Sequence, residues 1–74
     1  MMNHTLLERI ESNPQIMSGK PVIKGACIPV ETILKKLADN VSAAPIIRDY
    51  PRLTEDDIKA AVFYAAKLLE TTPH

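Results

Sequence analysis

Apolar residues change their spacing at Pro29. Before it, Pro14, Gly19, Pro21, Gly25 and Pro29 fall within sixteen positions, too dense for a helix longer than a turn. Pro21-Val22-Ile23-Lys24 reads as a short extended piece, and Leu7 to Ile10 reads the same way more weakly. The pattern predicts two short strands joined through Asn13-Pro14 and Ser18-Gly19. Such a ribbon is marginal in water and normally pairs with something else.

After Pro29 the period is helical. At 100° per residue, Val30, Ile33, Leu34 and Leu37 share one stripe, with Lys35 and Lys36 off it. A helix over 30–38 is expected, opened by Pro29 and closed by Asn40, which tolerates the left-handed conformation. Ser42 is a good N-cap for a second helix with Ala43, Ile46, Ile47 and Tyr50 on one face. Pro45 is harmless there as the third helical residue, and Pro51 ends the helix. Thr54 followed by Glu55, Asp56 and Asp57 opens a third helix of about sixteen residues, the acids favouring its dipole. Ile58, Ala61, Val62, Ala65 and Leu69 are its predicted buried stripe, leaving Phe63 on the opposite side.

The expected fold is therefore mainly α. Three compact helices with short links behind a short N-terminal strand or hairpin suggest a helix-turn-helix bundle, and the same pattern would suit any small three-helix domain. Residues 1–74 make a single domain, with an extended arm over 1–28 and a three-helix core over 29–70.

Composition narrows the partners. Nine Lys plus Arg balance nine Asp plus Glu, so no wholesale attraction to nucleic acid or membrane is expected. One cysteine, Cys27, excludes an intramolecular disulfide framework. The longest apolar run, Ala60 to Ala66, is far short of the ~18 residues of a membrane span. The N-terminal MMNHTLLERIE lacks a signal-peptide pattern, so a cytoplasmic protein without membrane contact is expected. A chain of 74 residues with three aromatics has a thin core, which raises the expectation of a homodimer.

The stretch from Ile10 to Ala66 resembles a bacterial family known as domain of unknown function 433. The matching residues are Ile10, Pro14, Gly19-Lys20-Pro21-Val22-Ile23-Lys24-Gly25 and Ile28-Pro29-Val30, then Tyr50-Pro51, Leu53-Thr54, Ala60-Ala61 and Tyr64-Ala65. The resemblance implies a homeodomain-like fold with a strand arm. It also implies a VapB-type antitoxin, commonly encoded beside a PIN-like ribonuclease toxin. The family's usual Gly-Thr-Arg is Gly25-Ala26-Cys27 here, which removes an arginine able to grip phosphate with two prongs. Its usual turn glycine is Asn40, a tolerable exchange.

Candidate chemistry is sparse. Gly19-Lys20 lacks the preceding glycine and following hydroxyl of a phosphate loop, since positions 14 and 21 are both proline. Cys27 has no base nearby, because His4 and His74 sit at the chain ends, and reads as a small half-buried residue. Adjacent acids at a helix start point apart and are explained by the dipole rather than by a metal. An enzyme is not expected, and neither is a cofactor.

The cations Lys20, Lys24, Lys35, Lys36, Arg48 and Arg52 give residues 20–52 a local +3 against Glu31, Asp39 and Asp49. Residues 54–70 carry a local −2, which disfavours groove entry by the third helix. DNA contact, if made, is expected to be weak and to use the first group; the alternative is a solvated polar face. Ile10, Val22, Ile23, Phe63 and Lys67 are the candidate dimer or partner residues. Residues 1–20 and Thr71 to His74 are the segments expected to wrap a toxin. The leading expectation is a dimeric antitoxin-like protein that neutralises a PIN-like ribonuclease and binds its operator weakly. The alternative is a protein-interaction module that does not bind DNA.

Overall fold

The computed structural model describes residues 4–70. A 3-10 segment, His4–Arg9, leads into strand β1 (Ile10–Ser12). A second 3-10 turn, Met17–Gly19, precedes β2 (Pro21–Ile23). Helices α1 (Val30–Ala38), α2 (Ala43–Asp49) and α3 (Glu55–Glu70) follow. The result is a small three-helix bundle with a two-stranded antiparallel sheet against it.

The strands pair in the register Ile10↔Ile23, Glu11↔Val22 and Ser12↔Pro21. Lys24 N–H donates to the Arg9 carbonyl at 2.8 Å, carrying the ladder one residue further. On its other side β2 meets the start of α1: Ile23 N–H donates to Ile28 O at 2.9 Å, and Val22 bridges Pro29. Between the strands, Asn13 Oδ1 accepts the Gln15 N–H at 2.9 Å, an Asx turn that starts the reversal. Ser18 and Gly19 then take φ values of 57° and 87°, and the Ser12 hydroxyl donates to the Gly19 carbonyl.

One sequence expectation about this region is corrected. Leu7–Ile10 is not a strand; residues up to Arg9 form a 3-10 turn packed along α3, and extension begins only where β2 offers partners. The described part of the arm carries the two strands and packs on the bundle through the 3-10 turn and the sheet.

The helices form where the periodicity placed them. At the end of α1, Asn40 takes φ 65°, with Val41 N–H donating to Lys36 O and Asn40 N–H to Leu37 O. These are the paired bonds of a Schellman closure, which satisfies the last carbonyls of the helix. Ser42 occupies the N-cap of α2 but makes no side-chain cap bond, so this short helix is held by packing through Ile46. The centre of the molecule joins Ile23, Val30, Ile33, Ile46, Leu53, Ile58 and Ala61, drawn from the sheet and all three helices.

The buried face of α3 differs from the predicted stripe. Asp57, Ile58, Ala60, Ala61 and Phe63 are buried, whereas Val62 and Leu69 are exposed. The helix is sandwiched: α1 and α2 cover one flank and the N-terminal 3-10 turn covers another. The buried arc is thereby widened and rotated from the Val62–Leu69 line toward Ala60. Among the described residues, no helix is long and apolar enough to cross a membrane.

Candidate functional site

The start of α3 is the most densely bonded polar point. Thr54 and Asp57 cap each other: Asp57 N–H donates to Thr54 Oγ1 at 3.2 Å, and Thr54 N–H donates to Asp57 Oδ2 at 3.0 Å. The spacing is that of a capping box, with Asp in place of Glu. Arg9 completes the cluster. Its Nη1 donates to Asp57 Oδ1 at 3.1 Å, and its Nη2 lies 3.6 Å from Asp56 Oδ2. Asp57 is 6% exposed, so a carboxylate that would otherwise be costly to bury is satisfied on both oxygens. The clamp fixes the N-terminal segment to the helix start. Thr54-x-x-Asp57 was visible in sequence, but its partner Arg9, 48 positions away, carried no local signal.

The six candidate DNA-binding cations fall into separate places. Lys20 Nζ sits 2.7 Å from Glu31 Oε1, and Lys35 Nζ lies 3.7 Å from Glu31 Oε2. The hydrogen bond and charge of Lys20, reinforced by Lys35, hold the Glu31 carboxyl below its ordinary value. Lys36 projects over the Tyr50 ring, 5.8 Å from its centroid. Arg52 donates to the Gly25 carbonyl at 3.3 Å, beside the turn that carries Lys24. A shallow cleft of about 250 Å³ between Ala26, Ile28, Asp49, Tyr50, Pro51 and Arg52 links these last groups. Arg48 is exposed on α2. Cys27, expected to be half-buried, is instead exposed in the Gly25–Cys27 turn with φ 56°. The turn tips its side chain outward while its N–H donates to Ile23 O. Among the described residues no cluster of His, Cys, Asp and Glu could hold a metal ion.

The five partner candidates divide sharply. Val22 and Ile23 are 0% exposed and Phe63 is 8% exposed, so none of the three presents a surface in the folded chain. The reason is the sheet, which lies on the bundle instead of standing free, and the widened buried arc of α3. Ile10 and Lys67 do meet at a surface. With Leu7, Glu11, Ser12, Tyr64 and Leu68 they line an apolar groove of about 320 Å³ between the N-terminal segment and the far half of α3. Leu68 is 57% exposed there. Around the helix from it, Val62 and Leu69 lie seven residues apart on a second exposed apolar line, 46% and 62% exposed. Sequence reasoning missed this line by assigning it to the core. Of the segments expected to wrap a toxin, residues 4–12 pack along α3, residues 13–20 form the turn between the strands, and residues 1–3 and 71–74 lie outside the described residues.

The chain is thus a three-helix bundle with an N-terminal ribbon and two apolar surfaces on one helix. Residues 10–65 match the family model described as "Protein of unknown function (DUF433)", and the chain belongs to that family. It is also similar to "Uncharacterized protein y4eO" of Sinorhizobium fredii (strain NBRC 101917 / NGR234), 31% identical over 58 residues. That match covers 78% of this chain and 26% of the relative, so the chain spans about a quarter of the relative's length. No solved structure gives a significant match.

Proposed function

We propose that this chain is a non-enzymatic protein of the antitoxin type that binds and neutralises a PIN-like ribonuclease. The toxin class comes from the family resemblance; the observation that carries the binding surface is the exposed Val62–Leu69 line of α3. An amphipathic helix with apolar anchors at i and i+7 can lay that face into a groove of a partner. Burying two exposed aliphatic side chains there contributes on the order of 3 kcal/mol before ordering costs. The wrapping role expected of residues 1–20 gives way to this surface, because residues 4–12 already pack on α3 and β2.

Operator binding is a secondary element of the reading. It would use Lys20, Lys24, Lys35 and Lys36 against phosphates, away from the acids at the start of α3. The competing reading, an interaction module without DNA contact, is favoured by one observation: Lys20 is paired with Glu31 at 2.7 Å within the chain. A promoter-fragment titration at two salt concentrations separates them. Salt-sensitive binding lost in K35A/K36A but retained in K59A supports operator contact; no binding at low salt supports the module.

The toxin reading is tested by co-expressing the full chain with the product of the adjoining reading frame. A PIN-like product should co-purify with wild type, and V62D/L69D should lose it while keeping its helical circular dichroism. Failure of wild type to retain any such product would overturn the proposal.

A further inference from the structure

The groove between the N-terminal segment and α3 lies on a different face from Val62 and Leu69. Its walls are apolar, with Leu7 and Ile10 on one side and Tyr64 and Leu68 on the other. Its rim holds one acid, Glu11, and one base, Lys67. Lys67 has a loose contact to Glu70 at 3.7 Å on the helix surface, an exposed pairing of little strength. The strand forming one wall, β1, pairs with β2 alone among the described residues and so presents an edge.

We propose that this groove is occupied by the same groove of a second copy of the chain, forming an isologous dimer. Two-fold symmetry demands a patch complementary to itself. An apolar centre flanked by one acid and one base meets that demand: Leu68 of each copy enters the partner's groove between Ile10 and Tyr64, and Glu11 of each copy faces the partner's Lys67. A nucleic acid would require a positive rim, and this rim is neutral. The chain's net charge of zero means that two copies do not repel at long range. The dimer also covers the β1 edge and adds apolar burial to a core of few aromatics. It replaces Val22, Ile23 and Phe63 as the association surface, and keeps Ile10 and Lys67.

The test is made on the chain alone, so its outcome is independent of whether a toxin is bound. Sedimentation of wild type at about 100 µM should give a weight-average mass of about one and a half times the 8.2 kDa chain mass if Kd equals that concentration, rising toward twice it for tighter pairs. L68D should be monomeric with unchanged circular dichroism, since Leu68 is exposed. E11K and K67E should each weaken the dimer about tenfold, and E11K/K67E together should restore it, because the swapped rim is again self-complementary. V62D should leave the dimer intact. A monomeric wild type, or single charge variants that associate as wild type does, would overturn the proposal. A monomeric wild type whose L68D form loses co-purification with the neighbouring gene product would assign the groove to that product instead.

Discussion

Replacing Asp57 by alanine removes the one side chain that ties the N-terminal segment, the cap of α3 and the helix dipole together. Its carboxylate accepts the Thr54 N–H at 3.0 Å and the Arg9 guanidinium at 3.1 Å. Loss of a capping interaction costs about 1 kcal/mol. A charge-assisted bond costs about 1.5–3 kcal/mol when buried, but the Arg9 side chain is 42% exposed, so about 0.5–1 kcal/mol is appropriate. The sum is about 1.5–2 kcal/mol, which for a chain of this size lowers Tm by roughly 6–16 °C. Urea and thermal unfolding followed at 222 nm measure it directly. E55A at the exposed neighbouring position should stay within about 0.5 kcal/mol of wild type. R9A should cost more than K59A, because it leaves a buried carboxylate with a single partner. A double-mutant cycle between Arg9 and Asp57 should return a coupling of about 0.5–1 kcal/mol. If D57A unfolds within about 0.5 kcal/mol of wild type, the clamp does not hold the segment to α3.

Three further outcomes are expected. F63A should destabilise by about 3 kcal/mol or more, as for a buried aromatic, and a loss below about 1 kcal/mol would return Phe63 to the surface. Gly25 has φ +82° and nothing within 4 Å of where a methyl group would stand, so G25A should cost about 1 kcal/mol from backbone strain alone; an unchanged midpoint would show that the turn takes another conformation. Glu31 should titrate by NMR below its ordinary value of 4.5, because Lys20 stabilises the charged form. Its small contribution to stability is therefore present above the unfolded-state value and lost as pH falls through the folded one. K20A should raise the Glu31 midpoint, and a wild-type midpoint at or above 4.5 would refute the pairing.

What the sequence made legible was local. The Pro29 start, the Asn40 closure, the Thr54 cap and the stop before Pro51 each depend on a few neighbouring residues, and α1 keeps the predicted 30–38 bounds. What it hid depends on contacts far along the chain. In α3 the alanines at 60, 61, 65 and 66 supply apolar positions on several sides, so periodicity alone could not choose between Val62 and Ala60 as core. That choice is made by the N-terminal turn, which occupies the Asp57 side through Arg9. Leu7 to Ile10 looked extended for the same reason: its apolar residues serve α3 as well as β2. The groove combines residues from positions 7–12 and 64–68, a juxtaposition no motif announces.

Central to the functional reading is that the chain silences a ribonuclease by binding it. The most direct measurement is RNA cleavage by the purified product of the adjoining reading frame, where that frame encodes a PIN-like ribonuclease, with increasing amounts of this chain added. Cleavage should fall to background at stoichiometric equivalence with wild type and persist with V62D/L69D. Undiminished cleavage in excess wild-type chain would contradict it.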